Sequence, residues 1–332
     1  MRWIGQISNT ILSWGTLALL AQSPTPMTVI RVPVHLVTAP TLVFSKEGRL
    51  LHALQRTDFR LFDNDRAQRV ALETLSTPIS VAIVVQVNQD VRQYVPLIAR
   101  TGSVFDALLV GESGEAAVIT YNGDIIVAKP FGEGDVQSAL GKISAHGRRA
   151  RMIDAGFRAI ALLKERPTSR DRILLFIGQP LDKGSQPTLA DLRQEAQKEN
   201  VAIHVLTLPE FGKSFVSDTF SLEGLPSRDK GGFKADVDLA KRITILNESS
   251  QTSKRQDPFS VLTTATGGTQ FRFHKQSELE QAVATLGVEL RSTYLLSYSP
   301  NSTEPGYHAI RIEVDVSGAK VFARPGYWLD GR

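Results

Sequence analysis

The sequence predicts an α/β fold in which a doubly wound, Rossmann-like domain is inserted in a small β-sandwich. Residues 79–87 are mostly apolar at consecutive positions, which indicates a central parallel strand buried on both faces. Between residues 76 and 292, segments with strand and helix character alternate, which is typical of a parallel sheet covered by helices. Short β segments lie on either side, at residues 28–75 and 293–332, and neither set is large enough to be stable alone.

Composition limits the classes of function. The chain has 332 residues, of which 42% are hydrophobic and 22% charged, which is ordinary for a globular protein with room for two domains. The formal net charge is only +4 and opposite charges are interleaved, so we expect no nucleic-acid-binding surface. The chain has no cysteine, which excludes thiolate nucleophiles, thiolate metal sites and disulfide bonds.

Residues 1–21 have the features of a signal peptide. Arg2 precedes an apolar stretch at residues 11–21, and polar residues with two prolines follow. No later segment is long and apolar enough to span a bilayer. We therefore expect export to the periplasm, the cell envelope or the exterior, with no membrane span after signal removal. The alternative is a buried or interfacial N-terminal helix.

The N-terminal β segment has period-two hydrophobic patterning. Strand segments are predicted at residues 29–43, 50–54, 59–62 and 68–72, with turns at residues 46–48 and 63–65. His35 and His52 stand among apolar neighbours without a second ligand at metal spacing. Both are therefore interpreted as structural histidines.

In the central domain, helices are predicted at residues 92–109 with a break at Gly102, then at 136–143, 153–164, 189–199 and 277–290. Further strands are predicted at residues 116–121, 124–128, 172–177, 201–208 and 269–273. Asn122-Gly123 predicts a type I′ hairpin that adds an antiparallel edge strand. Ser277 is predicted to cap the last helix. Residues 209–256 are predicted to be an insertion loop with one short helix at residues 237–246.

The two β segments are predicted to pack together as one discontinuous sandwich, because small isolated sheets are marginal in water. The C-terminal strands are predicted at residues 294–298, 309–316 and 319–323. Tyr327-Trp328 is expected to cover the line of contact between the two β segments. The expected core residues are Phe59, Leu61 or Phe62, Tyr294, Leu296, Ile310, Ile312 and Phe322.

Three groups of residues, in their order and spacing, resemble a known family. They are Leu54 with Asp58-Phe59 and Phe62-Asp63-Asn64; Ala265-Thr266-Gly267-Gly268; and Leu279 with Glu289-Leu290-Arg291-Ser292-Thr293-Tyr294-Leu295-Leu296-Ser297-Tyr298 and Arg324-Pro325-Gly326-Tyr327. The family is the von Willebrand factor type A-related domain proteins of the secreted acidobacterial kind, and the resemblance covers nearly everything after Met27. It implies a type A domain with a β-rich segment on each side, usually in exported proteins.

The type A fold commonly carries a metal-ion-dependent adhesion site, where Asp-x-Ser-x-Ser, a Thr and a further Asp hold a cation such as Mg²⁺. The resemblance places the first three ligand positions at Gln86, Asn88 and Asp90, the Thr position at Ala150 and the last Asp at Gly178. One carboxylate and two amides do not offset the dehydration of Mg²⁺, and Ala150 and Gly178 offer no side-chain oxygen. The resemblance therefore implies a degenerate metal site and no cofactor.

Two hypotheses about function remain. The favoured one is an exported, non-catalytic protein-interaction module that binds an unknown protein partner through polar and backbone groups and the insertion. The alternative is an adhesion module that holds Mg²⁺ or Ca²⁺, with Asp154 and Asp182 recruited as ligands, and binds an acidic group of its partner. Enzymatic activity is not expected, because the segment at residues 212–214 lacks the first glycine of a P-loop, and residues 111–114 lack the spacing of a nucleophile elbow.

Overall fold

The computed structural model describes residues 36–73, 78–209, 257–273 and 276–329. The predicted signal peptide, the start of the first predicted strand with His35, and the predicted helix at residues 237–246 lie outside the described residues. Among the described helices, none has the length and apolar character that a membrane crossing requires.

The described N-terminal segment contains four strands: β1 (Val37–Phe44), β2 (Phe59–Asp63), β3 (Arg66–Gln68) and β4 (Ala71–Glu73). The β2–β3 hairpin has Asn64 and Asp65 at φ values of 46° and 60°, the left-handed conformation that a type I′ turn requires. The prediction of a strand segment at residues 50–54 is wrong. The backbone of Leu50 and Leu51 pairs with β1, but Ala53 has a φ of 65°, which interrupts an extended backbone. His52 is exposed, so it is not the structural histidine that we expected.

Six strands form the central sheet: β5 (Ile79–Gln86), β6 (Glu115–Tyr121), β7 (Ile125–Lys129), β8 (Asp171–Gly178), β9 (Val201–Thr207) and β10 (Gln270–Arg272). Their order is β10-β9-β8-β5-β6-β7, and all neighbours are parallel except β6 and β7. The chain proceeds outward from β5 to β7 and then returns to the other side of β5. The prediction of a doubly wound, mostly parallel sheet with an antiparallel edge is confirmed.

The turn between β6 and β7 differs from the prediction. Neither Asn122 nor Gly123 has a positive φ, so the turn is not of type I′. Instead the Asn122 side-chain oxygen accepts a hydrogen bond from the Asp124 backbone N–H at 2.8 Å. A three-residue connection stabilised by this Asx turn replaces the expected two-residue hairpin.

The helices, in chain order, are α1 (Val95–Arg100), α2 (Gly102–Val104), α3 (Val136–Leu140), α4 (Met152–Lys164), α5 (Leu189–Lys198), α6 (Pro258–Thr266) and α7 (Gln276–Arg291). A π-helical turn at Phe105–Val110 continues α2. Helices α1, α2, α3 and α7 pack on one face of the central sheet, and α4, α5 and α6 pack on the other. Because α7 already includes Ser277, the predicted cap at this residue is wrong.

Strand β5 supplies side chains to both hydrophobic cores. Val81, Ile83 and Val85 face the core beneath α1, whereas Ala82 and Val84 face the core beneath α4. All five are fully buried. The continuous apolar run therefore has the physical cause inferred from the sequence, which is burial of both faces of the strand.

The C-terminal segment forms β11 (Tyr294–Tyr298), β12 (Gly306–Val314), β13 (Lys320–Ala323) and β14 (Gly326–Leu329). These strands combine with β1–β4 in two four-stranded sheets of order β13-β1-β11-β4 and β14-β12-β2-β3. In each sheet a strand from the N-terminal segment pairs antiparallel with one from the C-terminal segment, β1 with β11 and β2 with β12. The two ends of the described chain thus complete each other's hydrogen bonding.

Side chains from these two sheets share one hydrophobic core. Of the residues expected there, Phe59, Leu61, Leu296 and Ile310 are buried in it, and Tyr294 and Ile312 pack against it. One expectation differs, because Phe322 packs instead with Leu42, Phe44 and Leu50. Of the alternatives Leu61 and Phe62, Leu61 supplies the core, and the Phe62 ring lies 4.0 Å from the Arg311 guanidinium carbon.

The two β sheets contact the central domain through α5. Arg324, which follows β13, is buried, and its guanidinium donates to the side-chain oxygen of Asn200 and to the Gly326 carbonyl. The Trp328 indole N–H donates to the side-chain oxygen of Gln197 at 3.1 Å. Polar contacts therefore fix the position of the two sheets relative to the end of α5.

Candidate functional site

The predicted site residues lie where β5 and β8 end, at the point where the strand order reverses. Gln86 is the last residue of β5 and Gly178 is the last residue of β8. The Gln179 N–H donates to Gln86 Oε1 at 2.7 Å, so the two strand ends are joined. Open α/β sheets bind ligands in the crevice beyond such a reversal. We call this edge, formed by residues 86–92, 122–124, 144–151 and 178–185, the top face.

A chain of side-chain hydrogen bonds runs outward from β5. Gln86 Nε2 donates to Asn88 Oδ1 at 2.8 Å, and Asn88 Nδ2 donates to Asp90 Oδ2 at 3.1 Å. Gln86 and Asn88 are fully buried. Both amide oxygens accept a hydrogen bond within the protein, and the buried polar groups are thereby satisfied without a ligand.

Lys183 lies at the outer end of this chain. Its Nζ is 2.9 Å from Asp90 Oδ2, and its backbone pairs with buried Ala150 in an antiparallel bridge. The pKa of Asp90 is held below its usual range, chiefly by the hydrogen bond from Lys183 and further by the one from Asn88. Lys183 was missed in the sequence, although it follows Gly178 by only five residues in the loop that carries the last ligand position.

The space above Gly178 is filled by neighbouring side chains. A Cβ atom at this position would lie 2.5 Å from Tyr121 Oη and 2.9 Å from Gln86 Oε1. Tyr121 is fully buried, and its hydroxyl has no hydrogen-bond partner among the described residues. Burial raises the pKa of Tyr121, and the nearby Asp182 raises it further. Tyr121 also carried no signal in the sequence, because it belongs to the adjacent strand β6.

Asp154 and Asp182 are the two carboxylates that the alternative hypothesis uses as metal ligands. Both accept hydrogen bonds at the start of α4. Asp154 Oδ2 accepts a hydrogen bond from Arg151 Nε at 2.7 Å. Asp182 Oδ1 accepts from the Ile153 N–H at 3.0 Å and from the Ser185 hydroxyl at 2.6 Å. Negative charge at a helix N-terminus is stabilising, which gives both carboxylates a structural role.

The structure therefore brings Gln86, Asn88, Asp90, Ala150 and Gly178 to one edge of the sheet. No cluster of three or more His, Asp or Glu side chains suited to a metal ion occurs within the described ranges.

No protein-family model matches the sequence, and no curated protein matches it. Among solved structures, the von Willebrand factor type A protein from Catenulispora acidiphila has a TM-score of 0.46 and 10% identity, with 90% of this chain and 75% of that chain covered. The conserved hypothetical protein BatB from Bacteroides thetaiotaomicron has a TM-score of 0.41 and 10% identity, with coverage of 64% and 98%.

The SpRpn10 VWA domain has a TM-score of 0.38 and 12% identity, with 63% of this chain and 93% of that chain covered. These likenesses are too distant to decide fold or function.

Proposed function

We propose that this protein is a non-catalytic protein-interaction module whose top face binds a protein partner without a metal ion. The ion pair between Lys183 Nζ and Asp90 Oδ2, at 2.9 Å, is the observation that carries this proposal. Asp90 is the one carboxylate among the five ligand positions that the resemblance suggests. An ammonium group beside it neutralises its charge and repels a divalent cation.

The remaining donor atoms support the same conclusion. Mg²⁺ takes six oxygen ligands and Ca²⁺ takes six to eight, and each needs at least one available carboxylate together with neutral oxygens of the protein or water. The oxygens of Gln86 and Asn88 already accept hydrogen bonds, and Ala150 has no side-chain oxygen. The space that a ligand at position 178 would need is filled by the Tyr121 hydroxyl. This set of groups does not fit the cation of a metal-ion-dependent adhesion site.

The proposal extends to architecture and compartment. Residues 76–292 would form a type A domain inserted in a β-sandwich of residues 28–75 and 293–332, which holds the top face outward. The antiparallel pairing of β1 with β11 and of β2 with β12 supports this arrangement. Export after removal of residues 1–21 is proposed from the hydrophobic pattern of those residues alone.

Isothermal titration of Mg²⁺, Ca²⁺ and Mn²⁺ against the purified full chain without its signal tests the metal-free face. We expect no binding tighter than about 1 mM, the weak end of biological calcium sites. Lys183→Ala frees the Asp90 carboxylate and should strengthen the weak cation binding that remains. Lys164→Ala is the matched control and should not change it, because Lys164 also pairs with a carboxylate, that of Glu199, but lies away from the top face. Tight binding by the unaltered chain that is lost in Asp90→Ala would instead establish the metal-dependent alternative.

A further inference from the structure

We propose that the open edge of β7 and the groove beside it bind an extended segment of the partner protein as an added strand. This inference rests on the proposed interaction function and names the kind of partner segment. It concerns a surface that adjoins the top face and shares no residue with the Asp90–Lys183 pair.

The outer edge of β7 is open. The strand is the last on its side of the central sheet. Its inner edge pairs with β6 along its whole length, from the pair Ile125 and Tyr121 to the pair Lys129 and Val118. No backbone hydrogen bond joins its outer edge to another described segment. An unpaired edge presents a row of N–H and C=O groups that can accept an additional strand.

This edge lacks a common form of protection. Natural edge strands are often guarded by an outward lysine that discourages pairing. The lysine of β7, Lys129, is instead buried, and its ammonium donates to the Ala116 carbonyl at 2.6 Å. The Lys129 ammonium therefore points into the protein, and it does not discourage an added strand from pairing with the outer edge of β7.

A groove with a volume of about 460 Å³ lies along β7. Ile126 and Ala128 of β7 line it, together with Ala139 and Ile143 from the region of α3. Ile126 is 50% exposed, and only Leu36 and Tyr307 are comparable among the large apolar side chains of the described residues. An exposed apolar side chain beside an open strand edge offers contacts for alternate side chains of an added strand.

The charges along the groove are polarised. Strand β7 runs away from the top face, so Glu133 and Asp135 in the following loop lie at the far end of the groove, where they outnumber the one ammonium of Lys129. Lys142 lines the groove after α3 has returned toward the top face, and Arg148 and Arg149 follow on the same loop. Arg148 and Arg149 form no ion pair with any described residue. Asp124 at the start of β7 offsets one of these three positive charges.

The complementary segment is extended, apolar at alternate positions, acidic toward the top face and basic toward Glu133. Antiparallel strand pairs are slightly more stable than parallel ones. A segment added antiparallel to β7 has its carboxyl end at the top face. We therefore expect a basic residue at its amino end and an acidic residue at its carboxyl end.

Two synthetic peptides test this arrangement on the full chain without its signal. Both have alternating valine and threonine; one has lysine first and glutamate last, and the other has these two residues exchanged. We expect the first peptide to slow hydrogen exchange of the β7 amides and to bind about fivefold more tightly than the second, the effect of exposed ion pairs. Ile126→Lys should weaken binding at least about tenfold through lost apolar burial.

Leu36→Lys makes the same change at an exposed apolar residue outside the groove, and should leave peptide binding unchanged. Equal binding of both peptides, preference for the exchanged peptide, or protection only at other strands would overturn the proposal. The metal titration is independent of this result. Cation binding at Asp90 would contradict the metal-free top face but not strand addition at β7, so the two proposals fail separately.

Discussion

His308 and Asp63 form a buried pair that joins the two ends of the described chain. His308 Nδ1 on β12 lies 2.9 Å from Asp63 Oδ1 at the end of β2, and both side chains are almost completely buried. The second oxygen of Asp63 accepts hydrogen bonds from the hydroxyls of Tyr298 and Tyr327 at 2.9 Å and 2.8 Å. The Asp63 carboxylate, from the N-terminal segment, thus forms hydrogen bonds with three side chains of the C-terminal segment.

The first prediction is that stability decreases as pH rises. Burial alone would lower the pKa of His308, but the Glu304 carbonyl at Nε2 and the Asp63 carboxylate at Nδ1 outweigh it and raise the pKa above the ordinary value. The doubly protonated ring satisfies both acceptors. A group with a raised folded-state pKa stabilises fully below its unfolded pKa, about 6.5 for histidine, and this contribution is lost as pH rises through the folded value.

Urea unfolding at a series of pH values from about 5.5 to 8.5 measures this effect over the range in which histidine titrates. The free energy of unfolding should fall with increasing pH in the unaltered protein. His308→Gln should flatten that part of the dependence. An unchanged slope in the variant would show that other groups are responsible.

The second prediction concerns the carboxylate itself. Asp63→Asn removes the negative charge beside His308 and should lower the free energy of unfolding by about 3 kcal/mol, the cost of breaking a buried pair. Asp65→Asn is the matched control, because Asp65 lies two residues away with an exposed side chain. Its effect should stay within about 0.5 kcal/mol. Chemical denaturation of both variants gives the comparison, and similar losses would argue against a special role for Asp63.

The third prediction is that the two β segments depend on each other. Deletion of residues 293–332 removes β11 and β12, the partners of β1 and β2, and also the three side chains that bond Asp63. The N-terminal segment should then unfold, because its strands lose both hydrogen bonding and core. Limited proteolysis should show rapid cleavage between residues 36 and 73. Protection of this region in the truncated chain would mean that the N-terminal strands fold independently.

The fourth prediction is that Gly178→Asp destabilises the protein and creates no metal site. The new Cβ would meet Tyr121 Oη at 2.5 Å and Gln86 Oε1 at 2.9 Å, so the side chains must shift. Overpacking of this kind costs about 1–3 kcal/mol. Thermal unfolding with and without Mg²⁺ measures both effects.

Tyr121→Ala combined with Gly178→Asp is the informative second variant. Removal of the ring makes room for the new side chain, so the cost of Gly178→Asp should be smaller in the Tyr121→Ala background than in the unaltered protein. A cost that is equal in both backgrounds would show that Tyr121 does not restrict position 178.

The sequence by itself determined the positions of several strands and helices. Strand β5 and strand β11 lie where the hydrophobic pattern predicts them, and α4 and α5 deviate by one residue at an end. Hydrophobic periodicity is a property of consecutive residues, and burial of one or both faces dictates it directly. Local turn and cap preferences were less decisive. The Asn122-Gly123 turn and the Ser277 cap differ because pairing of β6 with β7 and extension of α7 outweighed the preferences of single residues.

Only the tertiary structure decided what surrounds the candidate site. The resemblance located Gln86, Asn88, Asp90, Ala150 and Gly178, but it could not show that Lys183 neutralises Asp90 or that Tyr121 fills the space above Gly178. Lys183 reaches Asp90 because its loop pairs with Ala150. Tyr121 reaches Gly178 across the end of β5, which lies between β6 and β8, because position 178 has no side chain. Contacts of this kind depend on strand order and on the course of loops, and a linear pattern of side chains contains neither.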